Sequence, residues 1–139
     1  MPRGTLRKLC ELALDLEPLE PPDELAHEPQ PFPLLPLPDH HVQIRVLPGP
    51  QVEYFSADAL DVLQSAPYAI GHSSDRMGFR LEGPRLTHVR GADIISDATP
   101  LGVLQVPASG QPILLMADRQ TTGGYPTIAT VIAATAAHT

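Results

Sequence analysis

Alternating apolar and polar positions predict that most of the chain after residue 41 is β-structure. Val42, Ile44 and Val46 alternate with polar neighbours, as in a strand that is buried on one face. The same reasoning predicts further strands at residues 68–70, 79–82, 92–96, 101–106, 112–117 and 127–133. Many short strands separated by Gly and Pro turns are typical of a closed barrel, so the predicted fold is mainly β.

One short helix is predicted within this β-pattern, over residues 55–63. Ser56 would be its N-cap and Asp58 would lie in the positive first turn. Leu60 and Leu63 would then face the barrel. Residues 6–16 hold apolar side chains at spacings that also permit a short helix.

Residues 18–38 form a proline-rich, acidic segment. Proline fixes φ and removes a backbone donor, so neither a helix nor a central strand persists there. We interpret residues 1–41 as an acidic N-terminal segment or linker and residues 42–139 as the folded domain.

Composition limits the class of protein. The chain has 139 residues, enough for one domain, and a net charge of −7, which argues against a nucleic-acid partner. Residues 1–40 carry eight acids and three bases, whereas the rest is close to charge balance. Cys10 is the single cysteine, which fits a reducing, cytoplasmic location. No apolar run approaches the ~20 residues of a membrane span, and no signal peptide is recognised.

Two polar, glycine-containing strings are the candidate functional loops. They are SDRMGFRLEGP at residues 74–84 and ADRQTTGGYP at residues 117–126, and each holds an Asp-Arg step. Such strings neither pack a core nor form a regular helix. They are typical of loops at the mouth of a β-scaffold, where function is usually placed.

These strings carry a family resemblance. With residues 45–51 (RVLPGPQ) and 105–112 (QVP followed by GQP), they form four blocks in the order found in allophanate hydrolase subunit 2. That family is also called the biotin-dependent carboxyltransferase family and includes the C subunit of 5-oxoprolinase. The chain resembles the C-terminal half of such proteins between residues 42 and 132. Residues 3–7 also resemble a family segment that precedes a strand, which leaves strand and helix open as alternatives for the N-terminus.

The resemblance implies a cyclophilin-like β-barrel. Family members run to about twice this length, with another β-domain ahead of this one. They also continue past residue 132 to a final strand. We therefore expect an incomplete barrel with an open edge, belonging to a fragment, to a truncated paralogue or to a subunit that needs a partner.

The implied function is that of a subunit of an ATP-dependent 5-oxoprolinase, which activates the lactam 5-oxoproline and opens it to glutamate. Its partners would be subunit 1 of the same system and a hydrolase subunit, and the chain alone would be inactive. Two alternatives stay open. One is the carboxyltransferase component of a biotin-dependent urea-type carboxylase, and the other is a non-catalytic regulatory subunit that antagonises a kinase-inhibitor protein.

Site residues are assigned from the two strings and their neighbours. An arginine binds carboxylate or phosphate through a planar fork, and glutamine amides suit a lactam or urea-like group. Asp-Arg neighbours can also simply lock loops, and the Gly-Gly step can be a tight turn with positive φ or an anion-binding nest. The expected catalytic residues are Arg76, Asp118 and Arg119. The expected substrate- or nucleotide-binding residues are Asp75, Arg80, Gln105, Gln120, Thr122, Gly123, Gly124 and Tyr125.

The resemblance implies ATP with Mg²⁺, which Asp75 or Asp118 would bind through water. The chain has no P-loop spacing, and its single lysine, Lys8, lies far from both strings. It has no biotinyl acceptor motif, so biotin would arrive on another chain. The histidines lack Cys or carboxylate partners at metal-ligand spacing, so no zinc site is expected.

Overall fold

The computed structural model describes residues 10–15 and 41–136, and it describes side chains for residues 42–132. The predicted proline-rich segment at residues 18–38 lies outside these ranges. The strands are β1 (Cys10–Asp15), β2 (His41–Pro48), β3 (Tyr68–Ile70), β4 (Gly78–Glu82), β5 (Asp97–Ala98), β6 (Val103–Gln105), β7 (Ile113–Leu115), β8 (Thr122–Gly123) and β9 (Thr127–Ala136). A 3-10 turn spans Val52–Tyr54, and the helix α1 spans Ala59–Leu63.

Seven of these strands form a closed barrel in the order β1-β2-β9-β6-β7-β4-β3. All neighbours around the ring are antiparallel except β1 and β3, whose short parallel pairing closes it. The remaining strands, β5 and β8, pair with each other as a separate two-stranded ribbon. The prediction of a mainly β barrel with one short helix is confirmed.

The expected open edge is not found among the described strands. β9 pairs with β2 on one side and with β6 on the other, so both of its edges are used. β1 pairs with β2 and with β3 and so closes the barrel. It lies within residues 1–41, which we interpreted from the sequence as an N-terminal segment. Of the two alternatives for this stretch, the strand is therefore correct for Cys10–Asp15.

Two local predictions were wrong. The helix was predicted over residues 55–63, with Ser56 as its N-cap. Instead α1 begins at Ala59, Asp58 lies at the N-cap position without a side-chain cap, and Phe55 forms a β-bridge with His88. Residues 92–96 are not a strand, because the chain bends there before entering β5. Both errors come from long-range pairing, which local pattern does not reveal.

The barrel core is aliphatic, as the scarcity of aromatic residues requires. Side chains that point inward from the barrel strands fill the core, and Leu63 of α1 packs against them. Tyr68 is fully buried, and its hydroxyl donates to the carbonyl of Pro84 at 2.5 Å. The buried cluster also contains Ile44, Val46, Phe55, Ala59, Leu81, Leu86, Leu104, Val106, Leu114, Ile128 and Ala129.

Close backbone packing at Gly49 gives a first test of this fold. A Cβ at position 49 would lie 2.5 Å from the carbonyl oxygen of Thr127, on the rigid strand β9. Gly49→Ala should therefore lower the free energy of unfolding by about 1–3 kcal/mol in urea titrations. Gly124→Ala is the control, since its Cβ would meet only Ile94 O at 3.5 Å. Equal stability of the two variants would contradict this packing.

The buried phenol of Tyr68 predicts a loss of stability at high pH. Burial raises the pKa of Tyr68 from 10.0 to about 12. Because the folded pKa is the higher one, the stabilisation is complete below pH 10 and is lost as pH rises from 10 to 12. Tyr68→Phe should flatten the fall of unfolding free energy across that interval, measured by urea titration at each pH. If the free energy of unfolding falls equally steeply in Tyr68→Phe, groups other than Tyr68 cause the loss of stability, which would contradict this prediction.

Candidate functional site

A row of side chains crosses three neighbouring strands on the outer face of the barrel. Arg80 of β4 lies opposite Ile113 of β7, which in turn lies opposite Gln105 of β6. Their chain neighbours Leu81, Leu114 and Leu104 point into the core. Strand alternation therefore places a cation, an apolar side chain and an amide side by side on the same face.

The β5–β8 ribbon covers this row. Two backbone hydrogen bonds hold its connecting segments together, from Ile94 N–H to Gly124 O at 2.8 Å and from Thr99 N–H to Thr121 O at 3.0 Å. The hydroxyl of Thr99, which is buried, also donates to the carbonyl of Gln120. The second polar string is thereby fixed against the segment that leads into β6.

The space between the row and the ribbon is a pocket of about 510 Å³, within the range of about 300–1,000 Å³ that is usual for small-molecule sites. Its walls are a mixture of polar and apolar side chains. The lining residues are Ser73, Asp75, Met77, Gly78, Arg80, Asp93, Thr99, Gln105, Ile113, Leu115, Gln120, Thr122, Gly123, Gly124 and Tyr125. All eight residues expected to bind substrate or nucleotide are among them.

The first polar string is a loop fixed by its own side chains. Asp75 Oδ1 accepts the backbone N–H groups of Met77 at 2.8 Å and Gly78 at 3.2 Å. Ser74 Oγ accepts the N–H of Arg80 at 2.9 Å. Short polar side chains that bond the backbone a few residues ahead are the usual way to form such a turn. The loop therefore delivers the chain into β4 with Arg80 at the pocket.

Arg76 and Asp118 tie the two strings to each other. Arg76 Nε lies 2.8 Å from Asp118 Oδ2, and the N–H of Asp118 donates to Arg76 O at 2.9 Å. Neither residue lines the pocket, and the Arg76 side chain is 82% exposed. In this structure, the two side chains hold the loops in register rather than face the cavity.

Arg119 also holds a loop. Its Nε donates to the carbonyl of Thr99 at 2.7 Å, and its terminal N–H contacts the carbonyl of Ala117 at 3.5 Å. It is half-buried and does not line the pocket. The three residues expected to be catalytic thus lie together beside the pocket, and the structure shows loop-locking contacts for each of them.

The Gly123-Gly124 step has a different role from the one expected. Neither glycine has a positive φ, and Gly123 lies in an extended strand, so the predicted nest or tight turn is not formed. Gly123 instead allows the Gln105 and Thr99 side chains to pack closely against β8. A Cβ there would lie 2.7 Å from Gln105 Nε2 and 3.1 Å from Thr99 Cγ2.

Charge in the pocket comes from three residues, Arg80, Asp75 and Asp93. Arg80 and Asp93 make no side-chain hydrogen bond or ion pair in the described part of the chain. Sequence reasoning missed Asp93 because it assigned residues 92–96 to a strand. It also did not place Ile113 and Leu115 in the wall of a pocket, although an apolar run such as residues 113–117 is typical of a strand covered on both faces.

Two negative findings apply to the described residues. No group of three or more His, Cys, Asp or Glu side chains could hold a metal ion there. No helix in these ranges has the length and apolar character needed to cross a bilayer.

Comparison with known proteins places the chain in a family and supports its fold. Residues 5–139 match the family described as "Carboxyltransferase domain, subdomain A and B". The chain belongs to this family of carboxyltransferase domains.

Two relatives of this chain share the same name. The chain is 44% identical over 96 residues to the C subunit of 5-oxoprolinase from Escherichia coli, covering 69% of this chain and 31% of that protein. It is also 44% identical over 89 residues to the C subunit of 5-oxoprolinase from Haemophilus influenzae, covering 64% and 29%. The chain spans about a third of the length of these relatives.

Solved structures share the fold. The crystal structure of TTHA0988 aligns with a TM-score of 0.53 and 41% identity, over 63% of this chain and 16% of that one. The urea amidolyase of K. lactis aligns with a TM-score of 0.56 and 22% identity, over 62% and 6%. At that identity the second likeness concerns the fold alone.

The loop contacts predict different effects for the two arginines. Arg119→Ala removes a half-buried hydrogen bond to Thr99 and should lower the free energy of unfolding by about 1–2 kcal/mol. Arg76→Ala breaks an exposed ion pair and should cost at most about 0.5 kcal/mol. Urea titration measures both changes. Amide exchange at Thr99 should accelerate only in Arg119→Ala, and equal effects in both variants would contradict the assignment.

Proposed function

We propose that this chain supplies the substrate pocket of an ATP-dependent 5-oxoprolinase, which opens the lactam 5-oxoproline to glutamate. The main support is the 44% identity, over about two thirds of this chain, to two proteins named as the C subunit of 5-oxoprolinase. A pocket that combines a cation, an amide and an apolar wall suits a small ring that carries a carboxylate.

Arg80 is the residue that would bind the carboxylate. Its guanidinium faces the pocket without a partner in the described residues, so it is available for a charge-assisted pair. The methylene groups of the ring would pack on Ile113 and Leu115. The lactam edge would then lie toward Gln105, Gln120 and Tyr125.

The lining is also compatible with a phosphate bound through Mg²⁺. Asp75 and Asp93 offer carboxylate oxygens, which Mg²⁺ prefers, and Arg80 offers a cation for a phosphoryl oxygen. Without the ion, these three residues sum to a charge of −1, which would repel a phosphate. Asp118 is a weaker magnesium candidate because Arg76 already pairs with it. ATP would supply the phosphoryl group that makes the lactam carbon electrophilic.

Partner subunits belong to this proposal. Both relatives are named as subunits, and this chain covers about a third of their length. We infer that the reaction takes place in the cytoplasm and also requires subunit 1 of the same system and a hydrolase subunit. The chain alone should show no 5-oxoproline-dependent ATP hydrolysis, whereas the assembly should.

A carboxyltransferase role is the second candidate, and the matched family description favours it. The same pocket would then take carboxybiotin, delivered on another chain, and a urea-like acceptor. The two functions separate in one assay of the assembly. Avidin should block a biotin-dependent carboxyl transfer and should leave 5-oxoproline-dependent ATP hydrolysis unchanged.

Arg80→Gln tests the proposed binding role. Loss of one charge-assisted contact should lower kcat/KM for 5-oxoproline by roughly 10–100-fold in the complete assembly. Arg85→Gln is the matched control, because Arg85 bonds Ser109 O at 2.9 Å and lies outside the pocket lining. Equal small effects of both substitutions on kcat/KM would remove Arg80 from the site.

A further inference from the structure

Gln105 has an unusual environment for a primary amide. Its residue is only 6% exposed, it lines the pocket, and its side chain has no hydrogen-bond partner in the described residues. Most buried polar side chains in native proteins are paired, so an unpaired one calls for a functional explanation. A ligand that satisfies the amide would provide that explanation.

We propose that Gln105 determines the specificity of the pocket by pairing with the adjacent N–H and C=O groups of a cyclic cis-amide. This inference deepens the proposed function and rests on its assignment of the pocket. It names the ligand class as a five-membered lactam or cyclic urea that also carries an acidic group.

The backbone aims this amide into the pocket. Leu104 and Val106, on either side of Gln105, belong to the core, so the Gln105 side chain leaves on the opposite face. The β6–β9 register shifts between Leu104 and Gln105, and such irregularities commonly re-aim a side chain beside a site. The polar end of the side chain reaches β8, as its 2.7 Å approach to a Cβ at position 123 shows.

Primary amides and cyclic cis-amides have complementary edges. Glutamine presents a C=O acceptor and an N–H donor side by side, and a ring-locked cis-amide presents one donor and one acceptor in the same way. A trans amide points these groups in opposite directions and cannot form the pair. Gln111 of this chain shows that a glutamine amide can bond a donor and an acceptor at once, because its Oε1 and Nε2 bond the N–H and C=O of Gly83, each at 3.0 Å.

The row of Arg80, Ile113 and Gln105 indicates that the ligand also carries an acidic group, which Arg80 would bind. Arg80 and Gln105 are separated by one strand, which at the usual strand spacing puts their Cα atoms about 10 Å apart. Both side chains lean into the pocket, so one small ring can reach both. Ile113 lies between them and would support the apolar part of the ring.

Binding of three probes to the full chain tests the pairing. The probes are 5-oxoproline, its N-methyl derivative, which lacks the donor, and the lactone in which oxygen replaces N–H. Isothermal titration should show roughly 10–100-fold weaker binding of the last two, because each leaves the amide of Gln105 partly unpaired. Biotin is added as a fourth probe, since its ureido ring presents the same edge.

Gln105→Met identifies the residue responsible. It preserves the length of the side chain and removes the polar atoms, so the variant should bind all the probes weakly and without discrimination. It should also raise the Tm of the ligand-free chain by roughly 2–8 °C, because an unpaired buried amide is replaced by an apolar group. Gln64→Met is the control, since that amide bonds Leu60 O at 2.8 Å far from the pocket lining.

Each alternative outcome overturns the inference. These outcomes are no binding of any probe, equal binding of the three 5-oxoproline probes, discrimination retained in Gln105→Met, or a lower Tm in that variant. Failure of the proposed function is distinguishable. Discrimination that is lost in Gln105→Met, with biotin bound more tightly than 5-oxoproline, would keep the pairing and reject the 5-oxoprolinase assignment.

Discussion

Strand alternation across β4, β7 and β6 is the constraint on which the pocket depends. Leu81, Leu114 and Leu104 must point inward to fill the aliphatic core, so their neighbours in each strand are forced onto the outer face. Those neighbours include Arg80 and Gln105. A shift of one residue in any of the three strands would put polar groups into the core and remove them from the pocket.

Loop-locking interactions turn this face into a walled pocket that is open on one side. Asp75 and Ser74 fix the first string through local hydrogen bonds, and Arg119 fixes the second against Thr99. These are contacts of charged or hydroxyl groups with backbone atoms, which confer geometry more than stability. Among the described residues, Arg80, Asp93 and Gln105 line this pocket with side-chain polar groups that have no partner and can bind a ligand.

The sequence indicated much of this arrangement, for reasons that individual residues make clear. Alternation at Val42, Ile44 and Val46 correctly predicted β2. The two glycine-containing strings are loops only in part, because β4 and β8 run through them and Leu81 of the first string packs in the core. Sequence pattern does not encode which strands become neighbours. For that reason the pairing of β1 with β3, which closes the barrel, and the outward position of Ile113 were not foreseen. The sequence alone could not show that Arg80 lines the pocket while Arg76 and Arg119 hold loops, because the three arginines look alike until their partners are known.

The most direct test of the account is a crystal structure of the chain with 5-oxoproline bound. We expect density for the ring over Ile113, with its carboxylate within hydrogen-bond distance of Arg80 and its lactam edge paired with Gln105. Density at another surface of the barrel, or a ring bound without contact to Gln105, would contradict it.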